Sequence, residues 1–396
     1  MKPIRYGMVG GGPDAFIGAV HRMAAALDGE YALVAGAFSS NPEKSAATGA
    51  KLGIAPGRAY GSWEAMAEAE GALPEGERIE AVSIVTPNHL HHPVAKPFLE
   101  RGIHVICDKP LTTTVEDADE LCRLTEASGL VFCVTHNYTG YPMVKEARAR
   151  VRAGALGPLR KVVVEYHQGW LRTLLEAEGQ KQAEWRGDPA RAGVSSALGD
   201  IGSHAHNLVR YVTGLEVTRL FADLGTVVEG RKLEDDATVI LELEGGVRAV
   251  LLASQIATGE RNGLRLRVYG AEGGLDWRQE EPNRLRLLDP HGDETVLHRG
   301  SGALGPAAAA ATRLPGGHPE GFIEAFANVY RGAASAIRAA GRDGSGGGAS
   351  AAGAGPSLDY PDVRDGARGV HFIHQAVRSS REGAWVEMAY EPGSAS

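Results

Sequence analysis

Up to about residue 138, short apolar runs alternate along the chain with amphipathic stretches. One such stretch, 41–52, opens with Asn41 and Pro42, and another, 115–127, follows a run of threonines, as helix starts do. Short apolar strands that alternate with helices predict a parallel sheet covered on both faces. The pattern therefore predicts an N-terminal α/β domain of the doubly wound, Rossmann type, with strands at 4–9, 32–38, 81–85, 104–107 and 131–135.

After about residue 139 the pattern changes, and strand-like segments follow one another at the spacing of hairpins. Glycine-containing turns such as Glu244-Gly245-Gly246 separate them. This pattern predicts a C-terminal α+β domain on a mostly antiparallel, open sheet, with strands at 238–244, 248–254, 264–269 and 284–288. We accordingly expect one domain over residues 1–138 and a second over residues 139–396.

Two helices are predicted late in the chain, at about 320–339 and 363–380. They flank residues 344–355, which are almost entirely Gly, Ser and Ala. Such a composition buries little apolar surface, so we expect a flexible surface loop there.

The composition of the 396 residues narrows the class of protein. Lys and Arg number 41 against 49 Asp and Glu, and a net charge of −8 argues against binding nucleic acid through bulk positive charge. No apolar run approaches the ~18 residues of a membrane span. The cysteines Cys107, Cys122 and Cys133 form no C-x-x-C pair, which favours a reducing compartment. We therefore expect a cytoplasmic protein with no nucleic-acid or membrane partner.

A glycine cluster at 10–18, GGGPDAFIG, follows the first predicted strand and precedes a predicted helix. Glycines there let the backbone approach a pyrophosphate, and a helix N-terminus offers free N–H groups to it. Gly10, Gly12 and Ala15 meet the Gly/Ala form of the dinucleotide pattern, whereas in a lengthened turn Gly18 takes the third role. A tight turn without a ligand is the alternative interpretation. The strand-loop-helix context favours a dinucleotide site, with cofactor contacts expected from Gly10, Gly12, Ala15, Phe16 and Ile17.

The end of the second predicted strand bears on the choice between NAD and NADP. An acidic residue there binds the ribose 2′-hydroxyl and repels a 2′-phosphate, but this chain has Ser39 at that position. Ser39 and Ser40, with Lys44 one turn later, can receive a phosphate. The same residues fit a helix N-cap followed by a solvated lysine equally well. The sequence therefore hints slightly at NADP and does not exclude NAD.

Residues 86–92, TPNHLHH, follow the third predicted strand, at the edge where open α/β sheets bind ligands. The histidines permit a metal hypothesis because imidazole is a common zinc ligand. No C-x-x-C or H-E-x-x-H pattern accompanies them, so we expect no metal.

The fourth predicted strand ends in Cys107-Asp108-Lys109-Pro110. Pro110 disfavours a helical backbone at Lys109, so this lysine should lie extended at the carboxyl edge of the sheet. A lysine held there can donate a hydrogen bond to a reacting hydroxyl. A solvated surface charge is the alternative interpretation.

Asp200 and His204 occur in a predicted helix that is entered through small residues. Their spacing of four places both on one face of that helix. A histidine next to a carboxylate is the usual general acid/base arrangement near neutral pH. Taken alone, however, such a pair more often lies on a helix surface outside any site.

Taken together, these segments resemble the family named for glucose-fructose oxidoreductase, inositol 2-dehydrogenase and MocA (Gfo/Idh/MocA). The resemblance covers nearly the whole chain and rests on the glycine loop, the run 86–89, Lys109-Pro110 and the Asp-x-x-x-His at 200 and 204. It implies an NAD(P)-dependent oxidoreductase that moves a hydride between the nicotinamide and a secondary hydroxyl or keto carbon. The implied substrates are sugars, inositols or glycosides. It also implies a homodimer or homotetramer formed through the open face of the second sheet.

The resemblance further implies roles for individual residues. Lys109, Asp200 and His204 match the catalytic trio of the family: His204 takes a proton from the substrate hydroxyl, Lys109 holds that hydroxyl, and Asp200 tunes the other two. Contacts to the nicotinamide side of the cofactor are implied for Thr86, Pro87, Asn88, His89, Asp108, Lys109 and Asn137. Substrate contacts are implied for Tyr138, Trp185 and Arg186.

The chain departs from the family pattern in three places. Asp108 replaces the usual glutamate, the glycine loop is longer than typical, and residues 193–199 replace a more glycine-rich approach to Asp200. Two alternatives of other classes remain. One is a dinucleotide-binding protein without catalysis, acting as a sensor or partner. The other is a metal-dependent hydrolase built on His89, His91 and His92 with Asp200 and His204.

Overall fold

The structure is a computed structural model that describes residues 2–13, 15–343 and 359–394. The chain divides into two compact units. The first comprises the described residues of Met1–Asn137, Phe326–Ala367 and Pro392–Ser396, and the second comprises Tyr138–Ala325 and Arg368–Glu391.

The first unit contains a five-stranded sheet in the order β2-β1-β3-β4-β5, and every strand pairing in it is parallel. Its strands are β1 (Ile4–Gly10), β2 (Tyr31–Ala37), β3 (Ala81–Val85), β4 (His104–Cys107) and β5 (Phe132–Val134). The connecting helices are α1 (Phe16–Leu27), α2 (Pro42–Lys51), α3 (Trp63–Ala72), α4 (His91–Leu99) and α5 (Val115–Ser128). The predicted doubly wound, Rossmann-type domain is thus confirmed.

Short polar side chains fix where two of these helices begin. The side chain of Asn41 accepts a hydrogen bond from the backbone N–H of Lys44 and caps α2. Thr114 accepts in the same way from the N–H of Asp117 and caps α5. Such caps satisfy backbone donors that have no partner within the helix.

The second unit contains a nine-stranded sheet in the order β13-β12-β11-β10-β6-β9-β8-β7-β14. Its strands are β6 (Leu159–His167), β7 (Val217–Gly225), β8 (Asp236–Leu243), β9 (Val247–Ser254), β10 (Gly263–Gly270), β11 (Gly274–Arg278), β12 (Arg284–Leu288), β13 (Glu294–His298) and β14 (Val386–Glu387). All the pairings are antiparallel except that of β6 with β9. The predicted, mostly antiparallel sheet is confirmed.

The helices of the second unit are α6 (Pro142–Arg152), α7 (Lys181–Arg186), α8 (Pro189–Ala192), α9 (Ser203–Thr213) and α10 (Pro306–Ala310). A π-helical turn, Leu198–Gly202, leads directly into α9. Residues alternate between buried and half-buried along the central strands, so one face of the sheet forms the core. Half-buried side chains, among them Phe221, Ile240 and Val250, lie on the opposite, open face.

The long helices α11 (Phe322–Asp343) and α12 (Val363–Glu382) each contribute residues to both units. The sequence-based division assigns everything after residue 138 to the second domain, and the structure differs because Phe326–Ala367 belongs to the first unit. The reason is packing: the Tyr330 ring lies 5.2 Å from that of Tyr31, and its hydroxyl is 3.0 Å from the Ser83 Oγ. The loop expected at 344–355 lies outside the described residues.

Two further expectations concern cysteines and membranes. All three cysteines are buried and free. No helix in the described part of the chain is long and apolar enough to cross a membrane.

Candidate functional site

Two glycines, one at the end of β1 and one just after it, occupy positions where a side chain has no room. Gly10 has a φ of +86°, and a Cβ there would lie 2.8 Å from the carbonyl oxygen of Val85. A Cβ on Gly12 would lie 2.8 Å from the carbonyl oxygen of Phe38. The loop is therefore restricted to glycine at both predicted positions, as a backbone that approaches a pyrophosphate requires.

The packing at the start of α1 favours Gly18 over Ala15 for the third position of the dinucleotide pattern. A Cβ on Gly18 would lie 2.3 Å from the Cα of Gly11, so the first turn of α1 packs directly on the loop. This is the close helix–strand packing that the third position of the dinucleotide pattern supplies. Ala15 instead is the extended residue that precedes α1, and it does not have that packing role.

The N-terminus of α1 carries no acidic residue in its first turn. Phe16, its first residue, is 73% exposed, and Ile17 is half-buried. Its N-cap residue, Ala15, makes no side-chain hydrogen bond to the helix. The positive end of the helix dipole and the free N–H groups are therefore suited to an anionic ligand.

The turn after β2 contains hydroxyls and no carboxylate. The Oγ of Ser39 accepts a hydrogen bond from the N–H of Asn41, while Ser40 and Lys44 are exposed. Asn41 caps α2, so the N-cap interpretation of this segment is correct. A cap of this kind leaves Ser40 and Lys44 available to a ligand.

Three buried polar atoms at the carboxyl ends of β3 and β5 have no hydrogen-bond partner among the described residues. They are Oγ1 of Thr86, Nδ1 of His89 and Nδ2 of Asn137. Buried polar groups are nearly always paired in folded proteins, so such atoms indicate a missing ligand or water. Together with the glycine loop and the α1 N-terminus, they fit a dinucleotide bound along this edge, with Pro87 and Asn88 in the turn between Thr86 and His89.

Asp108, directly before Lys109, is held from several sides. Its Oδ1 accepts hydrogen bonds from the hydroxyl of Thr135 at 2.8 Å and from the N–H of Lys109 at 3.2 Å. The Nε2 of the fully buried His21 is 3.9 Å away. Burial alone raises the pKa of the Asp108 carboxyl, but His21, Lys109 and His91 outweigh it and hold that pKa below its ordinary value. Asp108 is therefore a carboxylate.

The histidines after β3 have separate partners, which argues against a shared metal site. The buried His91 ring contacts two carbonyl oxygens, that of Pro110 at 2.7 Å through Nδ1 and that of Thr86 at 3.0 Å through Nε2. His92 contacts Glu120 through Nε2 at 2.7 Å. In the described residues, the group with metal-ligand spacing is His92, Asp117 and Glu120, and Lys96 already pairs with that Glu120.

In the second unit, the topology brings several chain segments to one edge of the large sheet. β6 and β9 are parallel neighbours, so their carboxyl ends, followed by Gln168 and Gln255, lie together. β10 runs antiparallel to β6 and begins at the same edge, directly after Asn262. The π-helical turn that carries Asp200 adds its residues to this edge through a contact with Gln255.

The carboxylate of Asp200 has two donors in this group. Its Oδ2 accepts from Nε of Arg186 at 3.2 Å and from Nε2 of Gln255 at 2.9 Å. The guanidinium of Arg186 lies over the ring of Trp185, 4.3 Å from its centroid, and 6.0 Å from that of Trp170. The structure thus brings together Trp185, Arg186 and Asp200, as the sequence-based expectation required.

His204 lies on α9, four residues after Asp200 in a continuous helical segment, and is buried. The ring of Tyr138 meets it edge-on with centroids 4.8 Å apart, and the ring of Tyr166 lies at 6.4 Å. The Tyr138 and Tyr166 hydroxyls are hydrogen-bonded to each other. Burial raises the pKa of both hydroxyls, so they are protonated next to His204 at neutral pH.

The segment 193–199, where the chain departs from the family pattern, is anchored by the buried Glu234. One oxygen of Glu234 accepts from the Ser195 hydroxyl at 2.6 Å and from the N–H groups of Ser196 and Leu198. Burial raises the pKa of this carboxyl, while these hydrogen bonds lower it. The serines that replace glycines therefore fix the start of the π-helical turn.

Sequence reasoning missed five polar or aromatic residues of this edge. They carry no local motif, and their partners are distant in sequence, as with Gln255 and Asp200. They lie near strand ends, at or just after the end of β6, after β9 or before β10, and this placement becomes informative once the strand order is known. They are Tyr166, Gln168, Trp170, Gln255 and Asn262.

Comparison with known families gives two matches. Residues 4–136 match the "Oxidoreductase family, NAD-binding Rossmann fold". Residues 144–276 match the "GFO/IDH/MocA C-terminal domain". The two matches fall in the first and second units respectively, in the expected order.

Individual proteins match over nearly the full length. The chain is 35% identical to "Uncharacterized oxidoreductase YfiI" of Bacillus subtilis (strain 168), over 98% of this chain and 97% of that protein. A crystal structure of an inositol dehydrogenase homolog complexed with NAD+ from Azotobacter vinelandii is 37% identical, with a TM-score of 0.92 and coverage of 98% and 97%. The levoglucosan dehydrogenase of Pseudarthrobacter phenanthrenivorans is 26% identical, over 72% of this chain and 76% of that protein.

Proposed function

Because this chain belongs to the GFO/IDH/MocA family of oxidoreductases, we propose that it transfers a hydride between a nicotinamide cofactor and a secondary carbinol or keto carbon of a sugar, inositol or glycoside. Its first unit is an NAD-binding Rossmann domain. The observation that carries the proposal is Asp200, held by Arg186 and Gln255 four residues before the buried His204. This is an oriented carboxylate four residues before a histidine in one helical segment, and such a pair supports acid/base chemistry.

The first unit supplies the cofactor site. Gly10, Gly12 and the α1 N-terminus, with Ala15, Phe16 and Ile17, hold the pyrophosphate. The polar atoms of Thr86, His89 and Asn137, which have no partner among the described residues, bind the nicotinamide ribose and amide together with the Pro87-Asn88 turn and Asp108. Bound NAD(P) supplies the hydride acceptor of the oxidation.

The roles of the catalytic trio follow from the resemblance and from the chemistry of each side chain. His204 takes the proton from the substrate hydroxyl as a general base. The resemblance gives Lys109, half-buried after β4, the role of donating a hydrogen bond to the substrate hydroxyl. Asp200 stabilises the positive charge that His204 gains, because a carboxylate favours the protonated imidazole.

The substrate class is supported by the composition of the second unit's edge. Trp170 and Trp185 offer apolar faces that suit the C–H face of a sugar ring, and Tyr138, Gln168 and Asn262 offer donors and acceptors. The cationic side chain of Arg186 is already paired with Asp200. An uncharged polyol fits this set. A relative from Azotobacter vinelandii was crystallised with NADH and myo-inositol, and another relative is a levoglucosan dehydrogenase.

The enzyme is expected to accept NADP as well as NAD. After β2, the chain has Ser39 at the position where an acidic residue would repel a 2′-phosphate, with Ser40 beside it and Lys44 in the first turn of α2. NAD use is supported by relatives crystallised with NAD+ or NADH.

Association as a homodimer or homotetramer is supported by the open face of the second unit's sheet. Phe221, Ile240 and Val250 occupy one row across β7, β8 and β9 and are only half-buried. Trp385, 39% exposed, lies with its ring centroid 6.2 Å from that of Phe221. A contiguous apolar patch of this kind is suited to a second copy of the chain. Three free, buried cysteines agree with a cytoplasmic location.

The test is the appearance of reduced nicotinamide when purified protein is offered inositols, aldoses and glycosides with NAD and, separately, with NADP. Turnover on a member of this panel is the expected result, and the better cofactor decides the role of Ser39, Ser40 and Lys44. Binding of both cofactors with no turnover on any member supports a dinucleotide-binding protein without catalysis. Absence of nicotinamide reduction, together with bound metal and a hydrolytic activity that a chelator abolishes, supports a metal-dependent hydrolase.

A further inference from the structure

Gln255 is a fully buried amide that directly follows β9. Its Nε2 donates to Oδ2 of Asp200 at 2.9 Å and to Oε1 of Gln168 at 3.3 Å. Its backbone is held as well, since its N–H donates to the carbonyl of Asp235 and its carbonyl accepts from Leu171. A side chain fixed at both ends in this way presents its N–H groups in one orientation.

Gln168 extends the contact away from Asp200. Its Nε2 donates to Oδ1 of Asn262 at 2.9 Å, and its Oε1 also accepts from Nε1 of Trp170 at 3.0 Å. Asn262 in turn accepts from the hydroxyl of Tyr166 at 2.6 Å. We call Gln255, Gln168 and Asn262 the amide relay. Its hydrogen bonds connect Asp200 to Tyr166, whose ring centroid lies 6.4 Å from that of His204.

The amide relay contains no group that titrates near neutral pH. An amide donates the same hydrogen bond to Asp200 at every pH at which the protein is folded. Arg186, the other donor to Asp200 Oδ2, carries a permanent charge but lies at the longer distance of 3.2 Å. Gln255 therefore contributes to the orientation of the Asp200 carboxylate through the shorter of these two hydrogen bonds, and its donor does not titrate.

We propose that Gln255 is a positioning residue for hydride transfer, holding Asp200 in the orientation that serves His204. This inference rests on the proposed function, since it concerns the same reaction. Gln255 contacts Asp200 and acts on the reacting atoms only through it. Nothing in the sequence motif Asp-x-x-x-His identifies it.

The first test replaces the amide by an apolar group of similar size, Gln255→Leu. Loss of a buried hydrogen bond to a charged group corresponds to about a 10- to 100-fold fall in kcat. The affinity for NADH, measured by fluorescence titration, is expected to stay within about two-fold because no residue of the first unit is altered. The matched control is Gln279→Leu. Gln279 is half-buried in the same unit and donates a hydrogen bond to the hydroxyl of Tyr141 at 3.3 Å. The kcat of this control variant is expected to equal that of the wild type.

The second test, Gln255→Glu, separates positioning from packing. A carboxyl placed beside Asp200 has a raised pKa, because two carboxylates in one site disfavour double ionisation. The protonated carboxyl donates a hydrogen bond to Asp200, as the amide does. The ionised carboxylate repels Asp200. The ratio of kcat/KM to that of the wild type is therefore expected to rise as the pH falls from about 9 to about 6.

Thermal unfolding gives a readout that needs no substrate. A carboxyl whose folded pKa lies above its unfolded value destabilises the protein as pH rises through that folded pKa. The unfolding temperature of Gln255→Glu, relative to wild type, is thus expected to fall with rising pH, whereas that of Gln279→Glu is expected to fall less.

The outcomes are distinguishable. A wild-type enzyme that turns over, together with Gln255→Leu at full kcat or Gln255→Glu with the wild-type pH profile, overturns the inference and leaves the proposed function intact. A wild-type protein without turnover on any polyol overturns the proposed function, and this inference with it. A loss of both activity and stability with rising pH in Gln255→Glu supports the positioning role of Gln255.

Discussion

The ligand-binding edges of the two units are built by different means. In the first unit, the edge is shaped by backbone: glycines with no room for a Cβ, a helix N-terminus, and carbonyl oxygens of Thr86 and Pro110 joined by one histidine. In the second unit, it is shaped by side chains that contact one another across long sequence separations, as Asp200 does with Gln255. An edge built from backbone suits a cofactor, which many enzymes share. An edge built from side chains suits a substrate, which differs from one enzyme to another.

The two carboxylates of these edges show the same contrast. Asp108 accepts from the backbone of Lys109 and from Thr135, near a buried histidine. Asp200 accepts from the side chains of Arg186, which is cationic, and Gln255, which is neutral. We expect substitutions in the first unit to affect cofactor affinity, and substitutions in the second to affect turnover.

The largest effect is expected from Gly18→Val. The added Cβ lies 2.3 Å from the Cα of Gly11, which neither backbone can avoid without moving the glycine loop. We expect loss of NADH binding and a fall of about 1–3 kcal/mol in the free energy of unfolding, from overpacking. NADH titration and thermal unfolding measure the two. Gly76→Val is the control, because a Cβ on Gly76 meets no heavy atom within 4 Å; equal losses in both variants contradict this account of the loop.

Asp200→Asn is expected to lower kcat by about 100-fold or more, because a neutral amide no longer stabilises a positive charge on His204. NADH affinity is expected to be unchanged. Asp188→Asn is the matched control in the same unit, since Asp188 only caps α8 and accepts from Ala190. Steady-state measurements of kcat for both variants test this role of Asp200. A wild-type kcat in Asp200→Asn contradicts the role in stabilising a charge on His204.

His91→Phe is expected to weaken NADH binding by about 10-fold, with a smaller effect on kcat. The hydrogen-bond ladder between β3 and β4 ends at Ile84 and Asp108, and beyond it His91 joins the two segments through their carbonyls. Leaving a buried carbonyl without its donor costs about 1–3 kcal/mol. His92→Phe, which removes a half-exposed contact to Glu120, is the control, and it should bind NADH as the wild type does.

The smallest effect is expected from Asn41→Ala. Removing the α2 cap costs about 1 kcal/mol and lowers the unfolding temperature by about 1 °C in a chain of 396 residues. Turnover with NAD is expected to be unchanged. Scanning calorimetry measures the shift, and an unaltered unfolding temperature contradicts the assigned cap.

The sequence predicts the first unit well because its signals are local. The glycine loop, the Asn41 cap and the alternation of strands with helices each lie within a few neighbouring residues. Even there, choosing Gly18 over Ala15 required a distance between α1 and the loop that no local pattern contains. Local signals also missed that Phe326–Ala367 joins the first unit, since that depends on the contacts of Tyr330.

The second unit is predicted less completely for the same reason. The hairpin spacing indicates the antiparallel strands, but not the parallel pairing of β6 with β9. That pairing is what places Gln168 next to Gln255, and with it the amide relay. The Asp-x-x-x-His motif identifies two residues of this edge, while the residues that orient them are recognisable only from the fold.

The account is tested most directly by one measurement on His204→Ala: its kcat and its affinity for NADH, determined in the same preparation with the substrate that the polyol panel identifies. Loss of the general base is expected to lower kcat by about 1,000-fold, while the affinity for NADH stays within about two-fold. His206→Ala, on the same helix and stacked on Phe372 with centroids 4.3 Å apart, controls for damage to α9. Full turnover in His204→Ala contradicts the proposed function.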